Sequence, residues 1–581
     1  MTTNSTWGFL NAVLLCAGAA SLTADARAAG PRLIVHNAKV VTVDAGFSIH
    51  QAMAVEGNRI VAVGSNEDVL RLKTADTELL DLDGKMVMPG LIDSHVHSCG
   101  AAMTEFDHPI PDMESVQDVL DYFKARAEQL EDGEWIVLQQ VFITRLREQR
   151  YPTRAELDRV APKNPCAFRT GPDASLSTLA LKLSGIDKDF RVTDGGPGYA
   201  EKDPQTGEPT GILRGCNRYI KSRETGRRAT GQERYDRVLA LFQDYASVGL
   251  TGICDGDASQ GNLDLYQRML EKGELPLRIA AQYHVETIGP IEQIEESIRT
   301  VGRHPLRQGG PMLRVIGVKV YLDGGMLTGS AYMSRPWGVS KIYAIDDPEY
   351  RGVLFIPKER LVPMVRTATE CGLQFTAHTV GDGAVEILVD AYDEVNKTMP
   401  IQSVRHCITH SNFMSPETVQ KVIDLKVIPL VQPVWLYSDA RTLTSHFGYD
   451  RLRWFQPLRS ILDAGGIAAG GSDHMQKLGS LRSINAYDPF LGIWTTLTRR
   501  AKWYEGQLHP EEALTREQAI RFYTINCAKA MFLDQDVGSL EKGKLADFIV
   551  LDTDLLTCPV DAIRETKVLR TYSDGRLVFQ R

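Results

Sequence analysis

The chain has no C-x-x-C pair among its nine cysteines, no block of lysine and arginine, and no apolar run near the ~20 residues of a membrane span beyond its first thirty residues. Each absence removes a class. Scattered cysteines in a chain this long argue against a disulfide scaffold and a thiolate metal knuckle, and we read them as small buried apolar thiols. A net charge of −9 without a basic patch is a poor match for nucleic acid, which needs cations to displace phosphate counterions. Glycine and proline are ordinary in number, with 49 and 27 among 581 residues, and no short-period repeat is visible. Collagen-like, coiled-coil and disordered readings are therefore excluded. What remains has the composition of a large globular enzyme.

The first thirty residues differ in texture. Residues 7–22, WGFLNAVLLCAGAASL, are uncharged, apolar and small, and Ala26-Arg27-Ala28 follows as a small-x-small pattern. This is the layout of a secretory signal covering residues 1–28, although its leading MTTNST carries no lysine or arginine. The expectation is export to a periplasmic or secreted location, with no stable membrane insertion after cleavage.

Residues 32–88 alternate Val/Ile runs with Gly-Asn, Asp-Gly and Pro-Gly turns, and the C-terminal segment from Gly538 repeats that texture. Both ends predict β-structure. Between them, apolar runs such as LRVIGVKVYL, LQFTAHTV and KVIPLVQPV alternate with helical patterns such as KERLVPMVRTATECG and SPETVQKVIDLK. Strand-then-helix repetition at this length predicts a closed parallel α/β barrel. Thr515 with Gln518 three residues on marks the start of a helix through LTREQAIRFYTINCAKAMFL. Residues 105–245 break the rhythm and read as an inserted α+β region. The division expected is a β-sandwich part over 29–88, the barrel over 89–515, and the last barrel helix with the rest of the sandwich over 516–581.

In MVMPGLIDSHVHSCG, His95 and His97 stand two apart at the end of an apolar run. Residues i and i+2 of a strand project from one face about 7 Å apart, so both imidazoles can address one metal ion. Alone, H-x-H is a weak signal; behind PGLIDS and a β-structure it becomes specific. In register with it come GEPTGIL (207–213), LTGICDG (250–256), VKVYLDGG (318–325), AHTVGDGAV (377–385), RHCITHSN (405–412), GSD (471–473) and GSLEKGKLADFIVLD (538–552). With these segments residues 32–581 resemble the amidohydrolase superfamily, in the branch that includes N-substituted formamide deformylase.

The resemblance implies a distorted (β/α)8 TIM barrel with a small β-sandwich formed by both chain ends. It implies His95, His97, Lys319, His378, His410 and Asp473 as ligands of one or two divalent ions, zinc first, with manganese, iron or cobalt as alternatives. Read alone, His378 is a hydrogen-bonded core histidine, Lys319 a stem buried below a solvated ammonium, and Asp473 a helix cap. Inside an apolar barrel, however, the lysine's pKa falls and its neutral amine becomes reactive. In the superfamily the matching lysine is carboxylated to a carbamate that bridges two metals. The implied reaction is hydrolysis of a C–N, amide-type bond by metal-bound hydroxide, with Asp473 as general acid and base.

His406 competes with His410 and is assigned at most to the substrate pocket. Asp323 and Tyr332 join it there, Asp323 with turn-capping as an equal alternative, as for Asp382. Tyr321, Tyr332 and Trp435 face either substrate or core. Two departures bear on specificity: Pro172 stands where relatives have histidine, and Thr409 where they often have glutamate. Rival readings are the same site acting on an ester or a carbamate, and a non-catalytic binding protein on the barrel. A small molecule is the partner expected; a homodimer is compatible with the sequence, which marks no interface.

Overall fold

Eight parallel strands succeed one another around the centre of the computed structural model, which describes residues 30–139, 141–223 and 227–581. They are β1 (Leu91–Val96), β2 (Leu250–Ala258), β3 (Arg278–His284), β4 (Leu313–Tyr321), β5 (Gln374–Thr379), β6 (Cys407–His410), β7 (Ile428–Val431) and β8 (Ala469–Gly470). Each pairs with the next in chain order. β8 is only two residues long, and the sheet closes just beyond it: Val96 bridges His474 in parallel, the amide of Asp473 donates to the carbonyl of His95 (2.9 Å), and that of His97 to His474 (2.8 Å). Asp93 reinforces the seam by accepting from the amides of His95 and Ser472, both at 3.0 Å. The result is an α/β barrel with helices between strands, near the (β/α)8 architecture expected.

The helices follow the sequence signals. Lys358–Glu370 and Pro416–Leu425 form as predicted, the second capped by Ser415. Thr515 and Gln518 make a reciprocal capping box, but the helix they open breaks into Arg516–Phe522 and Ile525–Ala530. Barrel geometry overrides local propensity here, because the carbonyl of Tyr523 accepts the amide of Ile92 in β1 (2.8 Å).

Both chain ends build one six-stranded sheet, in which Met86–Pro89 pairs antiparallel with Phe548–Leu551. Facing it lies a four-stranded sheet formed by Leu33–His36, Ala52–Glu56, Arg59–Gly64 and Glu78–Asp81. Val35, Met53, Val87, Phe548 and Val550 pack between them. The sandwich joins the barrel floor through buried Arg278 at the start of β3, which forms two 2.7 Å bonds to Asp547 and one of 3.1 Å to Asp574. The region between β1 and β2 contributes a separate five-stranded mixed sheet spanning residues 136–214. Gly231–Ser247 then leads directly into β2, so the end of the irregular stretch belongs to the barrel's own helical layer.

The export signal expected over residues 1–28 lies outside the described residues. Among the described residues no helix is long and apolar enough to cross a membrane. All eight described cysteines are free thiols, six of them buried.

Candidate metal centre

All six residues singled out as ligands come from the C-terminal ends of barrel strands, where catalytic groups of such barrels gather. His95 is the fifth residue of β1 and His97 follows its end; Lys319 lies in β4, His378 in β5 and His410 closes β6, while Asp473 stands three residues past β8. The Nε2 atoms of His95 and His97 approach Asp473 Oδ1 at 3.4 and 3.3 Å. Ring centroids link the histidines in a chain: His97 to His95 at 4.9 Å, His95 to His410 at 5.3 Å, and His410 to His378 at 4.6 Å. Lys319 is fully buried, its Nζ donating to the carbonyl of Gly256 (3.3 Å).

The backbone is shaped to this purpose. His410 and Asp473 both adopt left-handed conformations, φ 79° and 56°, which non-glycine residues enter at a cost of about 1–3 kcal/mol. Gly256 in β2 leaves the space that the His95 imidazole fills: a Cβ there would lie 2.0 Å from His95 Nδ1.

Electrostatics select neutral imidazoles at His95, His378 and His410. Burial first, then the positive field of Lys319, holds His95 well below the ordinary histidine range and His378 at about 3. His410 is depressed in the same way by burial and then by His378. Burial also lowers Lys319 and raises Asp473. In His97 burial is outweighed by the Asp473 carboxylate 3.3 Å away, which raises its pKa. Neutral ring nitrogens are the form in which histidine binds a metal. Both ring nitrogens of His95 and Oδ1 of Asp473 are buried without a hydrogen-bond partner among the described residues. Such orphaned atoms are costly, and a cation held between His95 Nε2 and Asp473 Oδ1 would satisfy two of the three. One ligand atom from each of His95, His97 and Asp473 lies within 4.8 Å of the others. The donor set fits a divalent ion. Gln432 Oε1 lies 2.8 Å from His410 Nδ1, and a carbonyl-type acceptor there orients the ring as partners of metal-bound histidines do.

Comparison with known proteins agrees with this geometry. The Amidohydrolase family profile matches residues 78–579. The chain belongs to the amidohydrolase family. N-substituted formamide deformylase of Arthrobacter pascens is 30% identical to this amidohydrolase over 566 residues, covering 94% of this chain and 98% of that one. The protein LONG AFTER FAR-RED 3 of Arabidopsis thaliana is 25% identical, covering 94% and 91%. Among solved structures, a metal-dependent hydrolase of Pyrococcus horikoshii shares the fold with a TM-score of 0.64 at 21% identity, covering 91% of this chain and 99% of that one. Atrazine chlorohydrolase TrzN of Arthrobacter aurescens, complexed with zinc, matches at 0.50 and 15%, covering 94% and 95%.

Of the three expected pocket residues, His406 lies at the far end of its strand, and Asp323 takes the turn-capping alternative. His406 immediately precedes β6, at the end opposite His410. It is buried, accepts the amide of Phe375 at Nδ1, meets Thr369 at Nε2 and stacks on Tyr392, so it is a satisfied core histidine. Asp323 accepts the amides of Val380, Gly381 and Tyr332 at 2.9 Å each, so it anchors the turn that follows His378. Tyr332 is tied into the same loop, its ring packed partly against the core. Asp382 likewise holds Ser334 and Gly383. Trp435 and Tyr321 border the centre: Trp435, buried in the core, stacks on His410 at 4.6 Å, and the Tyr321 ring lies 5.6 Å from that of His378.

Sequence reasoning missed a supporting chain. Asn485 Nδ2 donates to the backbone carbonyl of Asp473 (2.8 Å) and to its Oδ2 (3.2 Å). Arg145, from the inserted region, holds Asn485 (2.9 Å) and is itself anchored to Asp439 (2.8 Å). No local spacing announces these partners, because they lie far apart in the chain. Asp257 was missed too, although it directly follows the quoted LTGICDG segment.

Proposed function

We propose that this amidohydrolase cleaves a C–N bond in a small amide or N-acyl amine, after export from the cytoplasm. One observation carries the reading: Asp473 Oδ1, free of hydrogen bonds, faces the imidazoles of the H-x-H pair, His95 buried and His97 partly exposed, while Asn485 holds Oδ2. His95, His97, His378, His410, Lys319 and Asp473 would hold one or two divalent ions, zinc suiting the nitrogen and oxygen donors best. When bound, such an ion supplies Lewis acidity, making water nucleophilic near neutral pH and polarising a carbonyl.

The residues supply the rest. Asp473, buried and raised in pKa, takes one proton from the attacking water and delivers it to the departing nitrogen. Water adds to the carbonyl carbon, the C–N bond breaks, and a carboxylic acid and an amine leave. Lys319, whose burial favours the free amine, would add to CO2 with loss of a proton to become an anionic ligand. The similarity to a formamide deformylase supports the amide reading; the same centre would also serve an ester or a carbamate. The test is metal content per chain together with turnover of amides, N-formyl amines and esters, with and without chelator. Chelator-sensitive amide turnover is the expected result. Stoichiometric metal with no turnover across the panel would overturn the reading in favour of a binding protein.

A further inference from the structure

A second group of polar side chains sits at the mouth beside the metal centre, and the mechanism above does not use it. Asp257 near the end of β2, His284 at the end of β3 and Tyr321 at the end of β4 are joined by hydrogen bonds. Asp257 Oδ1 lies 2.7 Å from His284 Nδ1, and Oδ2 accepts the Tyr321 hydroxyl at 3.0 Å. His284 shares its register position with Lys319, and Tyr321 with His378. Paired residues on parallel strands project from the same face, so both side chains point where the candidate ligands point. Ring centroids step from His284 to Tyr321 (6.1 Å) and on to His378 (5.6 Å).

The group lies on the open side. The His284 side chain is 38% exposed, Asp257 26% and His97 24%, whereas His95 is fully buried. A cavity of about 490 Å³ opens from His284 outward, away from the candidate ligands and toward the helix Ile291–Gly302, lined also by Gln260, Tyr283, Glu286, Gln293 and Glu296. Burial pushes the Asp257 carboxyl up, but the His284 hydrogen bond and the charges of Lys319 and His97 outweigh it and hold the group ionised. An ionised carboxylate only accepts, so His284 donates from Nδ1. Its Nε2 has no hydrogen-bond partner among the described residues, and the ring is fixed before any ligand arrives. An imidazole held by a carboxylate at one nitrogen, and presented at the other beside a cavity, is arranged to receive a ligand's polar atom.

Resting on the amidohydrolase reading, we propose that His284 hydrogen-bonds an oxygen-bearing substituent of the substrate's amine or acyl part beyond the scissile bond, with Asp257 as the positioning residue that fixes its ring. The substrate class is then a polar-substituted amide rather than a purely alkyl one. A buried hydrogen bond to such a substituent is worth about one factor of ten, and an analogue lacking it should ignore the loss of His284.

The experiment compares N-(2-hydroxyethyl) and N-propyl amides of whichever acyl group the wild-type holoenzyme accepts best. His284→Ala, with wild-type metal content, should lower kcat/KM about tenfold for the hydroxyethyl amide, mainly through KM, and less than twofold for the propyl amide. His284→Gln should recover part of the loss. Asp257→Asn should lower it in wild type but by less than twofold in the His284→Ala background. Equal losses on both amides, an additive double variant, or loss of metal from Asp257→Asn would overturn the assignment. If wild type cleaves no amide or ester, the hydrolase reading fails instead. The pair is then judged by diethyl pyrocarbonate labelling of His284: protection by N-(2-hydroxyethyl)formamide supports it, and undiminished labelling overturns it.

Discussion

Replacing Gly256 by alanine adds one methyl group and nothing else. The backbone there is not left-handed, so no conformational strain accompanies the change. The new Cβ would stand 2.0 Å from His95 Nδ1 and 2.1 Å from Cε1, whereas non-bonded carbon contacts settle near ~3.5 Å. The imidazole must therefore retreat by about 1 Å or more, in a fully buried site with no spare room. Overpacking of this kind costs about 1–3 kcal/mol, and a reacting group displaced by ~1 Å costs on the order of a hundredfold in rate. We expect Gly256→Ala to fold with a lowered thermal midpoint, to lose metal, and to fall about a hundredfold or more in kcat/KM. Metal per chain by mass spectrometry, kcat/KM and the unfolding midpoint are the readouts. Gly252→Ala in the same strand is the control, because its Cβ would meet Ile92 at an ordinary 3.5 Å. A Gly256→Ala enzyme with full metal and kcat/KM within threefold of wild type would refute the placement of His95 against β2.

Asp473→Asn should keep the fold, since the added amide is close to isosteric, yet lose about 10²–10⁴ in kcat; near-normal turnover would remove its proton-transfer role. Arg278→Leu leaves Asp547, only 3% exposed, without its cation, which should lower stability by about 3–5 kcal/mol in urea unfolding while the folded fraction keeps its kcat. Burial holds the His406 imidazole at about 3, against about 6.5 in an unfolded chain, so the unfolded state takes up the proton first. Its contribution is complete above pH 6.5 and is lost as pH falls toward 3, by at most about 1.4 kcal/mol per unit. Unfolding midpoints between pH 7 and 5 should therefore slope less steeply in His406→Gln than in wild type; equal slopes would refute the assignment.

The barrel, the paired β-textured ends and the H-x-H motif were legible because strand periodicity and turn residues are local signals. His378 and Lys319 were legible only through resemblance, since isolated histidine and lysine in apolar runs have commoner explanations. The distinction between His406 and His410 depends on where β6 begins. A four-residue strand places one at the floor and the other at the mouth, about 13 Å apart at ~3.3 Å per residue. Asp323 shows the converse limit: a carboxylate before a Gly-Gly pair reads equally as a ligand's partner or a turn cap, and only its three amide donors decide. Asn485, Arg145 and the Asp257–His284 pair depend on contacts across strands and loops that no periodicity records.

Where the first and last strands meet, the barrel is held by few backbone bonds, and these run through His95, His97 and Asp473 themselves. A cation gripping those side chains would therefore also clasp the cylinder along its weakest line. Stripping it should loosen the molecule there before anywhere else, so that the amide hydrogens of His97 and Asp473 trade with solvent faster while those deep in β4 and β5 keep their pace.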